Sequence, residues 1–567
     1  MKKQLFALAL LTSTLMASAQ ITPKSEVRAA WLTTNGALDW PSTYNVSKQK
    51  RELTDMLDKL ERANFNTILF QVQAKGDVAW KSNIQPAMRY ITGYGANGLS
   101  YDVSQFVIDE CHKRGMECHA WIVTYRVGTA GEASYYDNNP VKHVTKEHPE
   151  WCRLYNGAYY LDPAEPEVRE YLVELYRELL TNYDFDGVNF DYTRYPGNDG
   201  FSTDASYFSQ EKYNPEHIDN IEDWRRWNIN TFIADFYDMA KSVRPDVKVG
   251  CAPFGTYKNL PGYGNTTAYG SVYQDAVQWA TSGHMDIVIP QMYWNERYGF
   301  SPNMGTWVNE LDGHTFVVGL APYKMTDSND WDPSVVYDQI EKIRNREGAS
   351  GACFFRVQHV IGSNARVQQL YNELCDNYYK YPAHIPPITT LGQTKPTAPA
   401  NVNQEYVDGK YVITWDANPE ADRVRYYSVY LADGSTVDIE NPEKVAAWKV
   451  NDNKHEYSSE NPDLKFAVTA FAHGYYESDP TLATNTGVDY IGETPSIITY
   501  SHYRLAVESP QRTIKSVDIY GINGSHAINV MANSNSVAVE CGDLARGVYV
   551  ACITYADGGT QIVKIIR

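Results

Sequence analysis

The fold is decided by a stretch that reads Asp186-Gly187-Val188-Asn189-Phe190-Asp191-Tyr192-Thr193-Arg194-Tyr195-Pro196. Apolar residues at helical spacing lie before it, from Val168 to Leu179. The stretch itself opens as a buried strand and closes in a polar turn. A helix leading into such a strand is one repeat of an α/β fold.

The same pattern, a helix followed by a strand, recurs along the chain both before and after this stretch. Eight repeats of this length are typical of a (β/α)8 TIM barrel, predicted here over residues 25–378. A doubly wound open sheet is the rival, but no Gly-rich phosphate turn follows the first strand. The predicted strands are Val27 to Thr33, Thr67 to Gln73, Glu117 to Val123, Gly187 to Asp191, Val247 to Cys251, Asp286 to Gln291, Thr315 to Leu320 and Gly351 to Arg356.

The pattern changes near residue 380. A Pro-rich linker is predicted over 379–396. Short alternating strands follow in 397–490 and again in 497–567. The overall fold class is therefore α/β, a TIM barrel followed by two small all-β sandwich-like domains. Because the linker is a natural boundary, the barrel is expected to fold alone with few contacts crossing it.

The N-terminus has the features of a secretory signal peptide. A basic start at Lys2 and Lys3 leads into a short apolar run and an Ala17-Ser18-Ala19 cleavage pattern. Residues 1–19 are therefore predicted to be removed on export. The expected location is periplasmic, cell-surface or extracellular, and no later stretch is long and apolar enough for a transmembrane segment.

Composition narrows the class of partner. The net charge of −19 argues against nucleic acid, which needs a basic surface. The 13% aromatic content mildly favours a carbohydrate substrate, because aromatic faces stack on sugar rings. The eight Cys show no metal-ligand spacing, so neither a metal nor another cofactor is predicted, although a metal site assembled from distant strands stays open.

Candidate site residues come from the upper ends of the strands, where TIM barrels place their active sites. Asp191 and Asn189 share the inward face of the fourth strand, since side chains alternate along a strand. A structural Asp191 paired with Arg194 is the competing interpretation. Amides, aromatic rings and guanidinium groups on one rim suit a polyhydroxylated ligand. The predicted substrate-binding set is Arg28, Trp31, Gln73, Asp77, His119, Trp121, Arg126, Asn189, Tyr192, Arg194, Gln291, Tyr293, Trp294 and Arg356.

Four segments make the barrel resemble the glycosyl hydrolase-like 10 family. Together they extend over about 350 residues in the family's order. This resemblance implies a TIM barrel that hydrolyses O-glycosyl bonds, with relatives acting on cell-envelope glycans, including peptidoglycan strands that lack stem peptides. The matching segments are Glu26 to Thr34, Arg114 to Trp121, Asp186 to Pro196 and Asp286 to Tyr293.

The sequence departs from related patterns at the fourth strand. Many relatives have two adjacent Asp there, whereas Tyr192 follows Asp191. True xylanases have Asn-Glu at this strand, a pair that is absent. The stretch also echoes the chitinase-like D-G-x-D-x-D-x-E run, but Thr193 stands where that run has its acid. The chitinase mechanism is therefore not expected.

Glycoside hydrolysis usually needs two carboxyl groups. Asp191 is predicted to be the nucleophile or base, because a nearby Arg194 would keep its pKa low. Glu296 is the choice for the acid, with Asp77 as runner-up, while Asp286 starts its strand and should lie at the wrong end. The alternative is a non-catalytic glycan-binding protein on a decayed barrel. An esterase or deacetylase would need a nucleophile dyad or a metal site, neither of which is visible.

The C-terminal domains carry two further resemblances. Residues 397–490 resemble a fibronectin type III module, with Trp415 in the position of that family's core Trp. Residues 497–567 are similar to the sorting domains of type IX secretion cargo, which have a Gly-Val-Tyr strand, here Gly547-Val548-Tyr549, and a basic end, here Arg567. This similarity implies secretion machinery as a partner. A plain β-sandwich is the other interpretation.

Overall fold

A computed structural model of the protein describes residues 22–93, 98–392, 394–485, 489–491, 497–509 and 512–567. The predicted signal peptide, residues 1–19, lies outside the described residues.

Eight parallel strands close into a barrel, as the sequence predicts. Each strand pairs with its chain neighbours, and the first pairs with the eighth through Val27 opposite Gly351. The strands differ from the predicted ones by a few residues at their ends, most at the sixth, where Pro290 interrupts the ladder. They are Val27–Leu32, Thr67–Gln73, Glu117–Val123, Gly187–Asp191, Lys248–Cys251, Ile287–Val288, Thr315–Leu320 and Ala349–Phe355.

A helix follows each strand and packs on the outside of the barrel. The first shows why: it buries Leu53, Leu57 and Leu60 at helical spacing, and the Asn45 side chain caps it by accepting from the Lys48 N–H. The eight helices are Val46–Arg62, Val103–Lys113, Pro166–Asn182, Ile221–Val243, Ala276–Thr281, Phe300–Leu311, Ser334–Arg344 and Ala365–Glu373.

Strand alternation divides the apolar residues of the barrel into two layers. Outward residues such as Ile68 and Phe70 pack with the helices in one large cluster. Inward residues such as Ala29, Trp31 and Leu69 form a second cluster that fills the barrel lumen. Asp191 and Trp121 therefore point into the lumen near its upper end, where the strands finish.

A long insertion follows the third strand and rises over the mouth of the barrel. It contains a three-stranded sheet built from Arg126–Gly128, Cys152–Tyr155 and Ala158–Leu161. In this sheet Arg126 lies opposite Tyr160. The insertion thus places residues distant in sequence beside the upper ends of the strands.

Two β-sandwiches complete the chain. In the first, the sheets face each other around Ile413, Val429 and Phe466, and Trp415 is buried beside Tyr427. Its strands are Asn403–Val407, Lys410–Thr414, Val424–Ala432, Val445–Val450, Lys454–Ser458, Lys465–Ala472, Thr481–Leu482 and Thr484–Asn485. The second comprises Asp489–Ile491, Ile497–Ser501, Arg504–Glu508, Ile514–Gly521, His526–Ser534, Ser536–Glu540, Val548–Tyr555 and Thr560–Ile566.

The first sandwich packs against the floor of the barrel, and the expectation of few contacts across this boundary is wrong. Tyr426, Phe471 and Tyr475 belong to the same buried cluster as the inward residues of the barrel. Charges cross the boundary as well, since Arg425 pairs with Asp186. The physical reason is that, without the sandwich, the apolar side chains at the lower end of the lumen would be exposed to water.

The Pro-rich segment is part of this cover rather than a free linker. Ile385 and Ile388 are buried in the lumen cluster. His384 donates its backbone N–H to the Lys24 carbonyl, and the Glu26 N–H donates to the His384 carbonyl, both at 2.9 Å. The proline residues therefore belong to a packed connection between barrel and sandwich. Composition alone does not distinguish such a connection from a free linker.

Candidate active site

The Asp191 carboxylate lies at the upper end of the lumen and accepts hydrogen bonds from three sides. The Tyr192 N–H donates at 2.8 Å, the Gln291 side-chain amide at 3.2 Å and the Trp121 indole N–H at 3.3 Å. Arg194 places a guanidinium nitrogen 3.8 Å from Oδ1. The Asp191 side chain is 9% exposed. The fourth, third and sixth strands thus bring their ends together around one carboxyl group.

The electrostatic balance at Asp191 differs from the expectation. Burial raises the pKa of Asp191, and this effect outweighs the lowering by Arg194 and by the three donors. The prediction that Arg194 holds the pKa low is therefore wrong. The Arg194 guanidinium lies within ion-pair distance of Asp191 but beyond hydrogen-bond distance. Its attraction therefore does not compensate for the loss of water around the carboxyl group.

Aromatic rings form a continuous wall beside this carboxyl. Trp31 and Trp121 meet edge to face with centroids 6.4 Å apart, and Phe355 lies 6.0 Å from Trp31. Tyr293 packs 5.7 Å from Phe355 and 6.0 Å from Tyr323. The Trp31 indole donates to Asn189 at 3.3 Å, so the wall also fixes a second polar group of the fourth strand.

Tyr192 and Arg194 form the turn that follows Asp191. Tyr192 adopts φ 53°, a left-handed conformation that costs about 1–3 kcal/mol in a non-glycine residue and is concentrated at functional sites. The centre of its ring lies 4.0 Å from the Arg194 guanidinium carbon, and the centre of the Phe254 ring lies 4.4 Å from the same carbon. Arg194 is thereby held between two rings beside the carboxyl.

Arg126 reaches the mouth from the insertion. Burial raises the pKa of the Tyr160 hydroxyl, and the positive charges of Arg126 and Arg194 oppose this rise. Arg126 is partly exposed. Trp294 stands on the opposite part of the rim, where a Cβ on Gly255 would come within 2.5 Å of its ring. Gly255 is therefore required for this position of the indole.

Three residues of the predicted set do not reach the mouth. Arg28 faces outward, donates to Glu26 at 2.9 Å and lies 4.3 Å from the Tyr379 ring. His119 is inward but low in the lumen, where it bonds Glu117 at 3.0 Å. Strand alternation was expected to direct both side chains into the mouth. Arg28 instead lies on the outward face of its strand, and His119 lies too low in the lumen.

Gln73 is the third correction. It bonds Gln85 and the Tyr176 hydroxyl, both at 2.8 Å, between strand and helix. A register shift between Gln71 and Gln73 reverses its face. Gln71 instead takes the inward role and accepts the Asn35 N–H at 2.8 Å.

The proposed acids are also engaged elsewhere. Glu296 pairs with Lys342 at 3.1 Å and accepts from Ser301 at 2.8 Å, with 47% of its side chain exposed. It therefore turns toward the outer helices and away from Asp191. Asp77 is buried, accepts from the Tyr136 hydroxyl at 2.5 Å, and closes a loop. Asp286 lies at the lower end, bonded to Lys241 at 2.8 Å, as expected.

Arg356 lies on the rim but is paired with a carboxyl that the sequence argument missed. Asp39 accepts from Arg356 at 2.5 Å and from the Thr33 N–H at 2.9 Å. Tyr160, Phe254 and Phe355 were missed too. The signal for Asp39 and Phe355 is their position just after or at the end of a barrel strand, whereas Tyr160 belongs to an insertion with no such marker.

Within the described ranges, no group of three or more His, Cys, Asp or Glu residues is arranged to hold a metal ion. No helix in the described part of the chain is long and apolar enough to cross a membrane.

The chain matches the family model described as Glycosyl hydrolase-like 10 over residues 26–334. It is 30% identical to Glycosyl hydrolase YngK of Bacillus subtilis over 444 residues, 74% of this chain and 85% of that protein. It is 32% identical to Glycosyl hydrolase DigH of Escherichia coli K12 over 336 residues, 54% of this chain and 75% of that protein.

Among solved structures, the PgaB glycoside hydrolase domain from Bordetella bronchiseptica aligns with 14% identity and a TM-score of 0.44, over 62% of this chain and 99% of that one. The family match extends from the first barrel strand to the start of the seventh outer helix and includes the strands that surround Asp191. The chain belongs to the glycosyl hydrolase-like 10 family.

Proposed function

We propose that this protein hydrolyses O-glycosyl bonds in a polysaccharide or cell-envelope glycan, with Asp191 as the essential carboxyl group. The observation that carries the proposal is the setting of Asp191: a buried carboxyl at the barrel mouth, beside a wall of tryptophan, tyrosine and phenylalanine rings. Family membership supports a glycosidase-type function. A sugar could stack on the partly exposed rings of Tyr293, Tyr323 and Phe355 while its glycosidic oxygen approaches the carboxyl.

In this proposal Asp191 is the general acid. Burial raises its pKa, so a larger fraction is protonated at a given pH than for an exposed aspartic acid. A protonated carboxyl can deliver its proton to the leaving glycosidic oxygen as the C–O bond breaks. The carboxylate that remains is stabilised by the donors of Tyr192, Gln291 and Trp121. Water then adds to the anomeric carbon and loses a proton, which restores the protonated carboxyl group.

A non-catalytic glycan-binding function is the second candidate, and one observation favours it. Glu296, the predicted partner carboxyl, forms an ion pair with Lys342 of an outer helix instead of facing Asp191. A barrel with aromatic rings but without a second working group could bind a glycan and leave it intact.

An assay for new reducing ends separates the two functions. The full-length protein and its Asp191→Asn variant would be incubated with peptidoglycan strands with and without stem peptides, and with a panel of neutral and acidic polysaccharides. We expect hydrolysis of at least one glycan by the unaltered protein and a loss of several orders of magnitude in the variant. Binding of a glycan without release of reducing ends would support the binding function.

We also propose that the protein is exported and that residues 497–567 contribute to sorting or attachment. The supporting features are the Ala17-Ser18-Ala19 cleavage pattern and, in the last domain, the Gly547-Val548-Tyr549 strand with its basic end at Arg567. The first β-sandwich, with buried Trp415, has the character of a fibronectin type III module. Its role here would be structural, because it covers the barrel floor.

A further inference from the structure

Two buried arginines share one carboxylate where the barrel closes. Glu26 precedes the first strand, Arg28 lies within that strand, and Arg344 ends the seventh outer helix. Arg28 donates to the Glu26 carboxylate at 2.9 Å, and Arg344 donates to both of its oxygens, at 2.8 and 2.9 Å. All three side chains are at most 9% exposed. Because arginine stays protonated at any working pH, this buried group carries one positive charge in excess.

Tyr379 packs against both arginines. The centre of its ring lies 4.3 Å from the guanidinium carbon of Arg28 and 5.7 Å from that of Arg344. Tyr379 is fully buried and follows the short helical turn Leu374–Tyr378. Backbone carbonyls of this segment accept from the arginines, Tyr381 from Arg28 and Tyr378 from Arg344, both at 2.6 Å. A carbonyl is neutral, however, so these bonds leave the excess charge in place.

Three polar atoms of this cluster have no hydrogen-bond partner among the described residues. They are Nη2 of Arg28, Nη1 of Arg344 and the hydroxyl oxygen of Tyr379, and all three are buried. A buried donor without an acceptor is costly, and a buried charge without a counter-charge costs more. Water would satisfy the donors and leave the charge, whereas an anion would answer both.

We propose that Arg28, Arg344 and Tyr379 bind a small monovalent anion of the halide class, such as chloride. The unpaired groups are all able to donate, which favours an anion over a cation, and the excess is a single charge. Arg28 belongs to the first strand, and the helix that ends at Arg344 leads into the eighth. Since Val27 pairs with Gly351 between these strands, the anion would stabilise the closure of the barrel.

Thermal unfolding of the full-length protein tests the site. Chloride would be replaced stepwise by gluconate, which is too large for a buried site of this kind, at constant ionic strength so that screening of surface charges does not change. An ion that binds only the folded state raises the melting temperature. We expect a rise of about 1–3 °C for each tenfold increase in chloride above its dissociation constant.

Removing one donor should weaken the site without dismantling it. Tyr379→Phe keeps the ring and every charge, so chloride should still bind, with a dissociation constant roughly 10-fold higher. Tyr371→Phe is the matched control, because Tyr371 is also a buried tyrosine, and its hydroxyl donates to the Lys59 carbonyl at 2.9 Å outside the cluster. The control should lower the melting temperature but leave its dependence on chloride unchanged.

Diffraction locates the ion directly. In crystals grown with bromide in place of chloride, we expect an anomalous peak in contact with Arg28 and Arg344. Equal melting temperatures in chloride and gluconate, or a chloride dependence that is identical in Tyr379→Phe, would overturn the site. Electron density for water there, without an anomalous signal, would overturn it as well. Because these measurements follow stability and diffraction, they are independent of whether the protein hydrolyses a glycan.

Discussion

The Nζ of Lys248, inside the barrel, donates to the hydroxyl of Tyr475, in the β-sandwich, at 2.6 Å. The same hydroxyl bonds Glu117, which pairs with Lys248 at 3.1 Å. Both charged side chains are at most 4% exposed. A buried ion pair needs further hydrogen bonds to offset its desolvation, and here the Tyr475 hydroxyl of the sandwich supplies two of them. Barrel and sandwich therefore form one folded unit.

Removing the sandwich should destabilise the barrel. A chain truncated after residue 392 would expose the lumen cluster and leave the Glu117–Lys248 pair without Tyr475. We expect this chain to be insoluble or to unfold at a much lower temperature than the full-length protein, as measured by circular dichroism. A soluble truncated chain with an unchanged melting temperature would show that the cover is dispensable.

A single substitution tests the contact of Tyr475 with the Glu117–Lys248 pair without removing the sandwich. Tyr475→Phe keeps the ring and removes the hydroxyl, so the unfolding free energy should fall by about 1–3 kcal/mol in chemical denaturation. Tyr503→Phe, whose residue is 45% exposed in the second sandwich, serves as control and should be within about 0.5 kcal/mol of the unaltered protein. Equal losses for both variants would contradict the special role of Tyr475.

The floor ion pair predicts a pH dependence of stability. Burial would raise the pKa of Glu117, but Lys248, His119 and Arg425 together hold it well below the ordinary value of 4.5. A depressed pKa contributes stability above the ordinary value, and this contribution is lost as the pH falls toward the folded-state pKa. Glu117→Gln should therefore cost about 3–5 kcal/mol near neutral pH, and less as the pH falls below 4.5.

Denaturation of both proteins from pH 7 to 3 measures this gap, with Glu174→Gln, 67% exposed, as control. A gap that stays constant below the ordinary pKa would show that the charge of Glu117 is not what stabilises the floor.

The role of Asp191 can be read from a pH–rate profile. If Asp191 is the acid, activity falls as the pH rises through its pKa. Trp121→Phe keeps a ring and removes an N–H donor to the carboxylate, so the pKa should rise further, by up to about one unit. The alkaline limb of kcat/KM should then move to higher pH. Movement of the acidic limb instead would assign Asp191 the role of base or nucleophile.

Glu296 should be dispensable for turnover. Because it pairs with Lys342 on the outside and is half exposed, Glu296→Gln should keep activity within about twofold and change stability by less than about 1 kcal/mol. Initial rates on any cleaved glycan, alongside Asp191→Asn, provide the measurement. A loss comparable to that of Asp191→Asn would restore Glu296 as the partner carboxyl.

Deletion of residues 497–567 should affect delivery and not chemistry. The second sandwich has its own buried core around Leu505, Val517 and Ile553, so its removal leaves the barrel and its cover intact. In the native host we expect the shortened protein to be mislocalised, as followed by immunoblotting of cell fractions, with unchanged kcat. Normal delivery of the shortened protein would reject the sorting role.

The sequence by itself determined the barrel, its eight strands and the position of Asp191. These features follow from short-range patterns: apolar spacing along helices, alternation along strands, and a polar turn after an apolar strand. Because parallel strands all finish at one end, the sequence also predicts that Asp191, Trp121 and Gln291 converge, and the structure brings them within hydrogen-bond distance.

Only the tertiary structure decided which other side chains join them. A register shift turned Gln73 outward, and the height of His119 in the lumen placed it at the floor, since face and height depend on pairing between strands. Tyr160 reached the mouth through an insertion, and Tyr475 reached the floor from another domain. The pKa of Asp191 rises because neighbours from many segments exclude water from it, a many-body effect that no local pattern of residues encodes.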